Sequence, residues 1–404
     1  MSAYKWQFPA RFRRHAFGWR SDTPIQRIKE ALSEINAVAR IDAVMAAEGA
    51  IKLLEKLSPA LEQVDSSSGA LGTAVNRAIA QLVPLIGAAQ VDAKLRSRWL
   101  DRLWQAIEDD DMPYIETLAD HWGELCAGPE LALEWAQQFE PLVSRIWATY
   151  STRPDYFKGT IACLSAMLAA GRHQQLLALL EKAPNTGWHY RQWGVKALVA
   201  LGKKTEAMHY AQASGSFNEP QAQIAQACEA ILLSSGLAQE AYELYAIAAN
   251  QSTTYLASFR AIAKKYPHVP REQVLRDLIA STPGAQGKWF AAAKDAGLFA
   301  LATELARTSP TDPRTLTRAA RDFAQKQPVF ALESGLAALH WMANGYGYEL
   351  TGADVVDAYQ SVMRAAPFAG ADVGQLKSAI RQMIDSDQGG TRFISAALRL
   401  YLTE

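Results

Sequence analysis

Cysteine is scarce in this chain. Three occur in 404 residues, Cys126, Cys163 and Cys228. They are far apart and odd in number, which excludes a disulfide framework and fits a reducing compartment. Long apolar runs are missing too, so no membrane-spanning helix and no membrane partner are expected. No apolar core follows the basic residues of the first twenty, as an export signal would require, and a cytoplasmic location is expected. Net charge is absent: 41 Lys and Arg balance 41 Asp and Glu. That balance excludes a wholesale nucleic-acid coat. Strand signals are few. Alternating Val, Ile and Thr runs do not occur, and the Asn-Gly pair at Asn344-Gly345 stands between helical patterns.

The signatures of chemistry are missing as well. The seven histidines, His15, His121, His173, His189, His209, His268 and His340, include no pair at i, i+4, so no zinc-binding helix is formed. His121 and Cys126 share "DHWGELC" but do not face one site on a helix. "TPGAQGKWF" places two residues between Gly284 and Gly287, and Trp289 follows Lys288. A phosphate-binding loop needs four residues there and Ser or Thr after the lysine, so this stretch reads as a turn between helices. No Gly-x-Ser-x-Gly elbow and no cysteine-nucleophile signature occur. No catalytic residue, metal-ligand set or cofactor is expected. The acid run Glu108 to Asp111 in "EDDDMPY" reads as a solvated loop favouring the next helix N-terminus, with cation binding as its alternative.

What is present is helical periodicity. "TPIQRIKEALSEINAV" sets Ile25, Ile28, Leu32 and Ile35 on one face, with Thr23 as cap, Pro24 at the first helical position and Gln26 completing a capping box. "MPYIETLADHWGEL" spaces Ile115, Leu118, Trp122 and Leu125 alike. "ALEWAQQFEPLVSRIW" does so with Trp135, Phe139, Leu142 and Ile146, and Pro141 is expected to kink that helix. Pro59, Pro113 and Pro129 read as helix starts, and Thr351 with Asp354 reads as a cap.

The second half repeats. "LAAGRHQQLLALL", "LVALGKKTEAMHYA", "LLSSGLAQEAYELY" and "AKDAGLFALATELA" align on Gly171, Gly202, Gly236 and Gly297. The spacings are 31, 34 and 61 residues, and Leu176, Ala207, Ala241 and Ala302 stand five residues after the glycines. Each unit reads as helix, glycine turn, helix, because glycine accepts the left-handed backbone that ends a helix. Over residues 157–345 this resembles the tetratricopeptide repeat, a helix-turn-helix of period 34; the family's Trp-x-x-Leu-Gly signature is absent. As a whole the chain resembles bacterial helical-repeat proteins, a resemblance that brings no activity. The expected fold is all-α, an α-solenoid of stacked helical hairpins. Residues 1–21 are a basic aromatic arm, 22–156 irregular or HEAT-like hairpins, 157–345 TPR-like repeats, and 346–404 capping helices ending in the polar "LYLTE".

Two stretches are candidates for binding. Residues 4–20 hold Lys5, Arg11, Arg13, Arg14 and Arg20 with six aromatics and no acid before Asp22. Three readings compete. Arginines contact phosphates while Phe12, Phe17 and Trp19 stack bases; or Arg11, Arg13, Arg14, Phe17, Trp19 and Arg20 anchor a partner protein; or the rings pack on the chain's own helices. The second stretch is "GWHYRQWGVKAL", where Trp188, His189, Arg191, Gln192 and Lys196 mark a concave face. Its alternative is a buried Trp188 and Trp193 with cations lying over them. The function expected is a non-catalytic scaffold or adaptor binding another protein; the alternative is a nucleic-acid-associated protein using residues 4–20.

Overall fold

The computed structural model describes residues 4–150, 155–214, 220–385 and 391–402. Thr403 and Glu404 of the expected terminal cap lie outside them. The described residues are helical with no strand. The chain divides into two compact units, Met1–Pro220 and Gln221–Glu404.

The first unit holds α1 (Asp22–Ala39), α2 (Ala43–Leu61), α3 (Ala70–Ala88), α4 (Ala93–Glu108), α5 (Trp122–Cys126), α6 (Pro129–Thr149), α7 (Thr160–Ala169), α8 (His173–Leu180), α9 (Trp188–Ala200) and α10 (Lys204–Gln212). Sequence neighbours pack together: α1 on α2, α2 on α3, α6 on α7, α8 on α9 and α9 on α10. Ile28, Leu32 and Ile35 are buried as their spacing requires. The start of α1 differs from the expected one. Asp22 is its first residue, and the Ser21 carbonyl accepts from Ile25 N–H at 3.1 Å. Pro24 therefore sits third, where a missing donor still costs nothing. Pro59 does not start a helix but lies in the last turn of α2. Burial of eleven residues along that helix outweighs the donor its ring removes. In α6 the buried stripe runs Trp135 and Phe139, then moves to Val143 and Trp147, while Leu142 and Ile146 are half-buried. The 3.6-residue turn drifts the face by one position.

"MPYIETLADHWGEL" does not make one α-helix. A 3₁₀ turn, Glu116–His121, precedes α5, although Ile115, Leu118, Trp122 and Leu125 are all fully buried. The cause is Ser165. Its hydroxyl donates to the Asp120 carbonyl at 3.0 Å and accepts from Gly123 N–H at 3.0 Å. A side chain inserted there displaces the i→i−4 ladder.

The second unit holds α11 (Gln221–Leu233), α12 (Ala238–Ala249), α13 (Tyr255–Lys265), α14 (Arg271–Ala280), α15 (Phe290–Asp295), α16 (Phe299–Thr308), α17 (Pro313–Phe323), α18 (Pro328–Ala343), α19 (Gly352–Ala365), α20 (Val373–Asp385) and α21 (Thr391–Leu402). A buried carboxylate fastens the first three. Glu229 accepts from Tyr266 Oη at 2.6 Å, Asn250 Nδ2 at 2.6 Å and Lys265 Nζ at 2.8 Å. The expected cap of α19 is a capping box between Thr351 and Asp354.

The four aligned glycines share one geometry. Gly171, Gly202, Gly236 and Gly297 have φ of 71°, 78°, 76° and 76°. After each, the next residue's N–H reaches back to the carbonyl five positions earlier: Arg172 to Met167, Lys203 to Leu198, Leu237 to Leu232 and Leu298 to Ala293. This left-handed stop satisfies carbonyls that the helix itself leaves unpaired. Leu176, Ala207, Ala241 and Ala302 are fully buried, which is what the small or apolar residue five positions on is for. The chain between Gly236 and Gly297 turns differently. α13 and α14 meet through Tyr266 to Pro270, and Pro270 precedes the first helical residue.

Gly202→Val should lower unfolding free energy by about 1–2 kcal/mol, the cost of a side chain in left-handed backbone, and Gly202→Asn by less. Urea denaturation measures both. An unchanged midpoint for the valine variant contradicts this turn geometry.

Candidate functional site: an acidic cleft in the first unit

The N-terminal arm lies on α1 and α2. Its rings form a chain of contacts, Tyr4 to Trp6 at 4.7 Å, Trp6 to Phe8 at 5.5 Å, Phe8 to Phe12 at 6.5 Å and Phe12 to Phe17 at 5.5 Å between centroids. Phe8, Phe12 and Phe17 join the core. Trp6 rests where Gly49 has no side chain; a Cβ there would meet its ring at 2.3 Å. Acids of the first two helices hold the arm's backbone and cations. Glu34 accepts from the N–H groups of Gln7 and Phe8, Arg11 meets Glu30 at 2.6 Å, and Arg14 meets Glu62 at 3.2 Å. Arg13 and Arg20 are exposed, and so is Trp19, at 72%. Of the six arm candidates, then, Phe17 is a core residue, Arg11 and Arg14 are engaged with their own chain, and Arg13, Trp19 and Arg20 face solvent.

A cleft of about 630 Å³ opens elsewhere in this unit. Ile107 and the loop after α4 give one wall, and the 3₁₀ turn gives Glu116, Thr117, Ala119 and Asp120. Tyr156, Phe157 and Lys158 come from the approach to α7, and His189, Tyr190 and Gln192 from the first turns of α9. Behind it stands a cluster of rings. Phe157 lies 6.1 Å from Trp104 and 5.4 Å from Phe139, and Trp104 lies 5.8 Å from Trp122. Such a wall is stiff, because close-packed rings have little room to move.

Two side chains fold the acid run into this wall. Lys158 Nζ donates to the carbonyls of Ile107, Glu108 and Asp110 at 3.1, 2.8 and 2.8 Å. That uses all three of its donors on the exposed end of α4. Asp110 accepts from the N–H groups of Tyr114 and Ile115 at 3.2 and 2.8 Å. The run is therefore not wholly a solvated loop: Asp110 is 4% exposed, because its carboxylate ties the turn that follows.

The electrostatics of the cleft are one-sided. It is lined by Asp110, Asp111, Glu116 and Asp120, while Lys158 is turned into carbonyls. Burial raises the Asp110 pKa against the hydrogen bonds it accepts. Glu116 is exposed at the cleft wall, yet partial desolvation, then the Asp110 and Asp120 charges, raise it. Burial raises Asp120 against His121 and Lys196. Among the described residues, neither Glu116 nor Asp120 takes a side-chain hydrogen bond or an ion pair within 4 Å. The Tyr156 hydroxyl is raised as well, by desolvation and by Glu116, and its residue is 74% exposed at the mouth.

No protein-family model matches this chain, and no curated protein matches it.

The five candidates on α9 separate. His189 and Gln192 line the cleft, and the His189 ring stands 4.0 Å from that of Tyr190. Arg191 turns away, donating to the Tyr210 carbonyl at 2.9 Å with its guanidinium over the Tyr210 ring. Lys196 lies over the Trp193 ring at 4.1 Å. Trp188 and Trp193 are buried. The acids of the cleft were not singled out as one site by sequence. A signal was present: residues 108–120 carry six acids and no Lys or Arg. The three thiols are buried, and desolvation pushes Cys126 and Cys163 up to about 12. They stay protonated at neutral pH and are poor nucleophiles.

A carboxyl whose folded pKa lies above its unfolded value weakens the fold as pH rises through the interval between the two. Glu116→Gln with Asp120→Asn removes that cost. Thermal melts should show the double variant more stable than the parent at about pH 7, the gain fading as pH falls through the ordinary carboxylate range. A less stable variant at neutral pH contradicts this electrostatic assignment.

Proposed function

We propose that the protein is a non-catalytic scaffold or adaptor, an α-solenoid with tetratricopeptide-like units, which receives part of another protein in the cleft of its first unit. The observation that carries this reading is the cleft's composition. It is backed by packed rings and lined by apolar side chains such as Ile107, Phe157 and Ile161 together with convergent polar groups, four of them acidic, the make-up of a binding site. Two residues of the α9 face border it. Stacked helical hairpins present such surfaces while neighbouring repeats bury a continuous core between them. The buried, protonated thiols support a binding role over nucleophilic chemistry. The nucleic-acid alternative has less support. Two of the arm's four arginines are committed to Glu30 and Glu62, and the cleft repels phosphate.

Photo-crosslinking tests the reading. A benzoylphenylalanine in place of Tyr156 should form covalent adducts with a discrete protein in cells. The same group in place of Ile41, which is 89% exposed in the same unit, should not. Equal labelling from both positions, or none from 156, overturns the proposal.

A further inference from the structure

The cleft's chemistry narrows what it receives. No cation among the described residues pairs with Glu116 or Asp120 within 4 Å: Lys158, the lining's ammonium, spends its three donors on backbone carbonyls, and His121 and Lys196 act on Asp120 through charge alone. Glu116 and Asp120 lie on one 3₁₀ turn, four positions apart, and repel each other in the folded protein. The same cleft is lined by rings, Tyr156 at its mouth and the contiguous His189 and Tyr190 on α9. Tyr190 is fixed in turn by Trp147, 5.1 Å away. Carboxylates beside aromatic faces complement a group that is both cationic and flat or apolar along its stem. A phosphate or a carboxylate ligand meets the wrong charge, and a purely apolar helix face leaves the carboxylates desolvated and unpaired. An arginine satisfies both requirements, since its guanidinium bonds carboxylates in a fork and stacks on rings. The space exceeds one side chain, so flanking backbone enters with it.

We propose that the cleft binds a basic segment of the partner protein, with an arginine side chain set between the Glu116 and Asp120 carboxylates and the Tyr156, His189 and Tyr190 rings. This rests on the scaffold reading and specifies the partner's chemistry.

The test is fluorescence anisotropy with the full chain and four labelled peptides, Gly-Ser-X-Gly-X-Ser-Gly, where X is Arg, Lys, Gln or Glu. The Arg peptide should bind tightest and the Lys peptide next. The Gln peptide should bind at least tenfold more weakly than Arg, and the Glu peptide not at all. Binding of the Arg peptide should weaken with added salt. Glu116→Gln with Asp120→Asn should weaken it at least tenfold with the thermal transition retained; should that pair not fold, Glu116→Gln alone should weaken it about threefold, a single neutralised charge on a partly screened surface. Equal binding of Gln and Arg peptides, or indifference to these substitutions, overturns the basic occupant. Failure of all four peptides while the crosslink from position 156 persists also overturns it but leaves the scaffold reading standing. Failure of both experiments removes both.

Discussion

An α-helix ends with carbonyls that no donor of its own can reach. In an all-helical chain those ends are many, and how they are satisfied decides where the next helix goes. Two devices do this here. In both units glycines in left-handed backbone turn the chain and aim an N–H back into the last turn. In the first unit two cations do the same work from outside the helix. Arg96, 4% exposed, donates to Ile86 and Ala89 at the end of α3 and reaches Leu125 on α5. Lys158 does so for α4. Neither has a carboxylate for its principal partner; each meets the negative end of a helix dipole.

The cleft follows from the second device. By drawing the end of α4 onto the approach to α7, Lys158 places an acid-rich loop beside the rings of α9. The same act points its hydrogen bonds at carbonyls rather than at those acids, while its charge still favours the ionised form of Asp110. The result is a concentration of negative charge held at some expense of stability, and such local costs gather at functional sites. Asp110 shows the contrast. It is the most buried of the four acids, but its hydrogen bonds to Tyr114 and Ile115 make it part of the frame. Glu116 and Asp120 have no such role, which leaves them available to a ligand.

Much of the fold was legible because helices announce themselves by spacing and glycine turns by position. The buried residues five after each aligned glycine follow from the alignment alone. Helix starts were less legible. Ser21 rather than Thr23 opens α1, since a proline is tolerated anywhere in the first turn. The break between the 3₁₀ turn and α5 could not be read locally, as it depends on Ser165, 42 residues from Gly123. On α9 the five residues named by sequence separate: His189 and Gln192 line the cleft, while Trp188 is buried and Arg191 and Lys196 lie over Tyr210 and Trp193. Aromatics and cations alternate there, and only packing decides that Trp188 goes inward, that Arg191 turns to Tyr210, and that His189 and Gln192 reach the cleft. The arm's rings announced burial by their number, yet the acids that hold it lie on α1 and α2, beyond any local pattern. The cleft acids were hidden by kind: a run of Asp and Glu ordinarily marks a solvated loop, and only Lys158, some fifty residues on, makes this one a wall.

The most direct measurement is hydrogen exchange together with Arg-peptide binding on Lys158→Met. The substitution removes a positive charge, so charge alone predicts tighter binding of a basic segment. If Lys158 builds the cleft, amides of residues 107–120 exchange faster while those of α1 and α2 do not, and the Arg peptide binds more weakly. Unchanged exchange with tighter binding would show that the acids hold their places without it, and would contradict the account.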